Sequence, residues 1–252
     1  MTLKLSNVLL NAITLIAFSA YAQAAEIRIL VGAPAGGSTD TLARTLSQKL
    51  SRLLGKTVVV ENRPGAGGNI AADSVAKSAP DGNMLLMSFT SHAINASLYS
   101  SLPFDPVRDF TPLTCVATLP SILVAHPSVA SKDVSELIAL AKAKPGKLKA
   151  LGVTSSRRLP AFPDGPAIAE MLPGYKSSPW FGLFGPARMD AEMTKRISDA
   201  APQAIGTPDV RRRLETEGAI AVGNSPEEFA RFVQDEITRW AKVVKFSGAK
   251  PE

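Results

Sequence analysis

The residues of this chain best placed for chemistry form a glycine-rich turn between a strand pattern and a helix pattern. Gly32-Ala33-Pro34-Ala35-Gly36-Gly37 follows the apolar run Ile27–Val31, and Ser38, Thr39 and Asp40 open a helical repeat. A helix start leaves its first backbone N–H groups unpaired and carries the positive end of the helix dipole. Glycines let a ligand approach the backbone, and Ser38 and Thr39 add hydroxyl donors. Such a turn can receive a carboxylate or a phosphate. Ala35, Gly36, Gly37, Ser38, Thr39 and Asp40 are therefore candidate ligand-binding residues. An ordinary capped helix after a tight turn uses the same residue types, so spacing alone leaves both readings open. A second glycine loop, Gly65–Gly68, has weaker anion-binding features, and a plain turn explains it as well. Thr90, Ser91 and His92 follow the third strand pattern, at the same end of the expected sheet, and are candidates to line the same cleft.

Other chemistries find no support. Gly32-x-x-x-Gly36-Gly37 is not the dinucleotide pattern, and no Gly-Lys-Ser/Thr triplet follows either loop, so a nucleotide-using enzyme is the weaker alternative. There is no nucleophile elbow and no His-Glu-x-x-His, so no catalytic residue is named. Cys115 is the single cysteine and lies in an apolar run, which reads as a buried thiol. The two histidines, His92 and His126, are too few for a metal motif, and no metal or other cofactor is expected. Arg211-Arg212-Arg213 reads as a solvated helix face rather than a nucleic-acid surface. The net charge of +6 mildly favours acidic ligands.

The elements that must position the turn follow from periodicity. Ile27–Val31, Thr57–Val60 and Met84–Ser88 read as strands. Leu42, Leu46, Leu50, Leu53 and Leu54 repeat at helical spacing up to Gly55, with Ser38 and Thr39 as candidate caps. A second helix is expected over about 69–77. This β-loop-α-β-loop-α-β order specifies an α/β fold with a parallel sheet, whose ligand loops sit at the carboxyl ends of the strands. Further strands are expected within 110–124 and over 150–154, a helix over 134–144, and loop with a short helix over 158–175. Thr207-Pro208 and the capping box Ser225-Pro226-Glu227-Glu228 open two C-terminal helices. The second carries Phe229, Phe232, Val233, Ile237, Trp240, Val243 and Val244 on one apolar stripe.

Residues 1–24 read as an export signal: Lys4, a mostly apolar run over 8–20, then Ala22-Gln23-Ala24 as the cleavage site. At 45% hydrophobic and 20% charged, the rest is composed like an ordinary globular protein.

Several stretches together resemble the extracytoplasmic receptors of tripartite tricarboxylate transporters, the Bug family. These are 29–40, Val60-Glu61-Asn62-Arg63-Pro64-Gly65-Ala66-Gly67-Gly68-Asn69, Ala79-Pro80-Asp81-Gly82, Ser91-His92-Ala93-Ile94-Asn95, Leu102-Pro103-Phe104-Asp105-Pro106, 143–148 and Trp180-Phe181-Gly182-Leu183. The resemblance implies a type II periplasmic-binding-protein-like fold with two α/β lobes closing on a small carboxylate. It implies that the 32–40 loop holds one carboxylate of the ligand and that Thr90-Ser91-His92 faces the cleft. It also implies a periplasmic, monomeric receptor that serves a membrane permease and binds no nucleic acid. Many relatives carry an aromatic residue where this chain has Ala33. A larger departure follows Leu148, where about seventy residues of the family pattern are missing. The expected organisation is thus a signal at 1–24, an intact first lobe from 25–125 plus 178–252, and a truncated second lobe at 126–177. A degenerate receptor without ligand binding is the alternative.

Overall fold

The computed structural model describes residues 26–123, 136, 152–155, 157–158, 164–173, 175 and 177–251. The expected export signal, and all but one residue of the helix expected over 134–144, lie outside the described residues.

Three apolar runs separated by helical stretches fold as parallel strands. β1 (Glu26–Val31) pairs with β2 (Thr57–Asn62) on one side and with β3 (Met84–Phe89) on the other. Ile27, Ile29, Leu30 and Val31 are all fully buried. Both faces of β1 are therefore covered, as an apolar run without alternation requires. The intervening helix α1 (Ser38–Leu54) buries Leu42, Ala43, Leu46, Leu50 and Leu54 against the sheet and ends at Gly55. Its N-cap is Gly37, not Ser38 or Thr39, and no side chain caps it. After β2, a short 3-10 turn (Ala66–Gly68) leads into α2 (Asn69–Ala76), and after β3 the chain enters α3 (Ser91–Leu98) at once.

The sheet is not parallel throughout. β4 (Phe110–Thr118) does not lie beside β3. The later strand β7 (Trp180–Pro186) inserts between them, antiparallel to both, and β8 (Ile220–Ala221) closes the edge. β7 is buried at every position and binds the two halves of the sheet together. Between β4 and β7 lie β5 (Ile122–Leu123), β6 (Gly152–Val153) and α4 (Ile168–Met171). β5 and β6 form a separate antiparallel pair.

Helices cover both faces. α5 (Ala191–Gly206) and α6 (Pro208–Thr216) join α1 over one core, with Ile197, Ala201, Ala204 and Leu214 buried. α7 (Pro226–Ser247) joins α2 and α3 over the other. There Phe229 lies edge-on to Trp180, with ring centroids 5.8 Å apart. The expected capping box of α7 is present. Ser225 Oγ accepts from the Glu228 N–H, and the Glu228 carboxylate accepts from the Ser225 N–H. The apolar stripe of α7 packs as far as Trp240. Val243 is 42% exposed, so the stripe ends one turn sooner than its periodicity predicts. Cys115 is buried, and burial pushes its thiol up to about 12, which makes it inert.

Candidate functional site

The carboxyl ends of β1, β2 and β3 carry the three loops read from the sequence, and the loops brace one another. Gly32 of the first and Gly68 of the second meet backbone to backbone. A Cβ on Gly32 would stand 2.7 Å from the Gly68 Cα, so no larger residue fits there. The Gly67 carbonyl accepts from Ser91 Oγ at 2.6 Å and from Asn95 Nδ2 at 3.2 Å, which ties the second loop to the start of α3. Asn95 Nδ2 also donates to Asn69 Oδ1 at 2.8 Å.

The first loop projects Ala35, Gly36 and Gly37 into solvent, with Ser38 half-buried behind them. Gly36 adopts a φ of 83°, which turns the chain into α1. The Thr41 N–H closes the first helical bond onto the Gly37 carbonyl, and no side chain caps the N–H groups that open α1. Thr39 and Asp40 are buried. Asp40 serves the loop itself: its Oδ2 accepts from the Gly36 N–H at 2.9 Å and from Arg44 Nε at 3.0 Å. Burial alone would push the Asp40 carboxyl up. The bonds from Arg44, Gly36 and Asn62 outweigh that and hold it below the ordinary aspartate range.

The third group does not stay together. Ser91 sits at the loop junction. The Thr90 hydroxyl accepts from the Trp180 N–H at 2.9 Å and is buried with it. His92, which the resemblance placed toward the cleft, points into the core. It is 4% exposed, stacks on Phe184 at 4.8 Å and lies edge-on to Phe110 at 5.0 Å. Its Nε2–H donates to the Pro106 carbonyl at 2.9 Å. Burial pulls its pKa down to about 4 against that bond, so the ring is neutral at pH 7 and has no face free for a ligand. The aromatic residues that claim it are distant in the chain, which is why its position beside Thr90 and Ser91 misleads. Two residues near the first loop carry no such signal in sequence. Arg44 bonds Asp40 and Asn62, and Asn62 bonds the Ala33 carbonyl. Their types and positions are those of any solvated helix face or strand end.

No group of three or more metal-ligating side chains is brought together among the described residues. No described helix is long and apolar enough to cross a membrane.

Residues 42–149 and 144–248 match the family model of the tripartite tricarboxylate transporter family receptor. BugT of Bordetella pertussis is 31% identical over 295 aligned positions that cover 90% of each chain. An uncharacterised protein of Pseudomonas sp. strain P51 is 30% identical and covers 84% of this chain. Among solved structures, a Rhodopseudomonas palustris protein with adipate is 26% identical with a TM-score of 0.78, over 90% of this chain and 98% of that one. MatC from the same organism, with bound malate, is 27% identical with a TM-score of 0.76, over 87% and 98%. The periplasmic binding protein BugD shares the fold, with a TM-score of 0.76. The matched family is one of solute-binding receptors and not of enzymes. With its family match spanning most of the sequence, this chain belongs to the tripartite tricarboxylate transporter receptors, the periplasmic Bug-type binding proteins.

Proposed function

We propose that this chain captures a small carboxylate in the periplasm and presents it to the membrane permease of a tripartite transporter. The observation that carries this reading is the first loop: an exposed turn at Ala35–Gly37 leading into a helix that no side chain caps. The N–H groups of exposed Gly37 and half-buried Ser38 suit a carboxylate, and the helix dipole adds to them. The adipate and malate carried by two structural neighbours are ligands of that chemistry. Ala35, Gly36, Gly37, Ser38 and Thr39 would touch the ligand, Asp40 would shape the turn, and Thr90 and Ser91 would support it. Replacing Gly37 by Leu tests this. A Cβ there meets only the Pro34 carbonyl oxygen, at 3.6 Å, so the fold has room for it while the space in front of the N–H groups fills. Titration with malate and adipate should show binding by the wild type and at least a tenfold loss in Gly37→Leu. Equal binding by both would place the site elsewhere.

We infer further that the second lobe of this receptor is shortened, a reading supported by how the relatives align. The family match comes in two stretches that overlap at residues 144–149, where Gly146-Lys147-Leu148 stands. The alignment with BugT runs over 295 positions, yet 90% of 252 residues is only about 227, so nearly seventy positions of the relative face no residue here. The family resemblance implies that donors for the far end of a dicarboxylate belong to that segment. Two or three charge-assisted bonds at about 1.5–3 kcal/mol each would be lost, roughly a thousandfold or more in affinity against a full-length relative. Side-by-side titration with BugT measures this. Sub-micromolar binding by this chain would show that the short lobe still closes, and complete silence would favour a degenerate receptor.

A further inference from the structure

We propose that Arg44 and Asn62 are positioning residues for carboxylate capture. Together with Asp40 they close a hydrogen-bond circuit around the first loop that aims its free N–H groups. This rests on the carboxylate-receptor reading and adds two residues that touch no ligand. The circuit runs through three elements. The Gly36 N–H donates to Asp40 Oδ2 at 2.9 Å, Arg44 Nε donates to the same oxygen at 3.0 Å, Arg44 Nη2 donates to Asn62 Oδ1 at 3.0 Å, and Asn62 Nδ2 donates to the Ala33 carbonyl at 3.1 Å. Both ends of the exposed turn, Ala33 and Gly36, are thus held by one chain of side chains from α1 and β2.

Two features separate this from an ordinary i,i+4 ion pair. First, the partners are unequal: the Asp40 side chain is 6% exposed and the Arg44 side chain 51%. A half-exposed arginine adds little to folding stability. Its bonds instead decide where a buried carboxylate sits. Second, that carboxylate lies in the first turn of the helix whose N–H groups would meet the ligand. Unpaired, it would repel an incoming anion; paired with Arg44 and bonded to Gly36, it fixes the turn. The circuit also takes up the Gly36 N–H, which leaves those of Gly37 and Ser38 for the ligand.

The test is an NMR titration of the wild type, Arg44→Met, Arg44→Lys and the double variant Arg44→Met/Asp40→Asn. Malate and adipate are the probes, and amide exchange and thermal unfolding are followed on the same samples. Arg44→Met should keep its unfolding midpoint, bind at least tenfold more weakly and speed exchange of the Gly36 amide at least tenfold. Arg44→Lys should lie between, since one ammonium keeps the charge but lacks the fork that bridges Asp40 and Asn62. The double variant should recover part of the lost affinity, because Asn at position 40 still accepts from Gly36 but carries no charge. A purely structural role predicts the reverse pattern, with stability falling and affinity per folded molecule kept. Wild-type binding that Arg44→Met leaves intact overturns the circuit and spares the receptor reading. A wild type that binds neither acid overturns both. Unchanged Gly36 exchange in Arg44→Met overturns the circuit whatever the titration gives.

Discussion

Two parts of this molecule solve the packing problem unequally. The six-stranded sheet buries two apolar cores, one on each face, and the second is filled by Trp180, Phe184, Phe229 and their neighbours. The small region built on β5, β6 and α4 buries, among the described residues, only three apolar side chains, Val153, Ala167 and Ile168, with Leu123, Met171 and Tyr175 partly covered against Ile168. Ile122 and Leu172 beside them are 47% and 41% exposed. An exposed ion pair, Arg158 with Glu170, supports this region, and such a pair contributes little. Burial scales with what surrounds a side chain, so the sheet can hold itself together while the small region leans on it.

Substitution at the two centres gives the largest test. Phe229→Ala should cost about 4 kcal/mol, because a fully buried ring would leave a cavity among Trp180, Phe184 and Phe232. Ile168→Ala should cost about 2 kcal/mol or less and leave the main urea transition in place. If both substitutions shift the same cooperative transition equally, the two regions are one unit and the contrast fails.

The next effect concerns acid. His92 titrates near 4 when folded and near 6.5 when free. Between those values the unfolded chain takes up the proton and the folded one does not. Stability is therefore full above about pH 6.5 and falls as pH drops toward 4. The whole loss is on the order of 3 kcal/mol. Urea midpoints from pH 7 to pH 4 should fall steeply in the wild type and less in His92→Phe. The sheet should loosen in this window, since Phe110 and Phe184 of the sheet flank the ring. Parallel curves for the two proteins would remove His92 as the cause.

The smallest effect compares two helix starts. α7 has both halves of a capping box. At α4 only the Glu170 carboxylate accepts, from the Ala167 N–H at 2.8 Å, because Ala167 has no hydroxyl to return the bond. Ser225→Ala should cost about 1 kcal/mol of the sheet's stability, read from the same urea curves. No change would mean that packing of Phe229 and Val233 alone sets the start of α7.

The elements were easier to read than their neighbours. β1, α1, β2, α2 and β3 appear where apolar periodicity put them, because each pattern is local. The insertion of β7 between β3 and β4 was not legible. Antiparallel pairing of Phe181 with Phe89 joins residues far apart in the chain, and nothing local announces it. The first loop was legible as glycines before a helix, but its cap was misplaced: Ser38 and Thr39 lie inside α1, and Gly37 caps it. His92 was read by its neighbours in sequence, whereas Phe110 and Phe184 decide its place. The bonds of Arg44 and Asn62 were invisible for the same reason.

The excursion that leaves the sheet after β4 returns through β7, and Thr118 pairs directly with Trp180 across those strands. The two ends of residues 119–179 are therefore pinned side by side by sheet hydrogen bonds, and Trp180 is fastened again through Thr90. For the sheet, everything between them is a closed loop whose length enters only logarithmically. Doubling such a loop changes its closure entropy by about 0.6 kcal/mol. By closure entropy alone, gain or loss of dozens of residues in this excursion should cost the sheet and its three braced loops little. β4 and β7 thus act as a clasp, and what they enclose can change in length at little entropic cost to the frame.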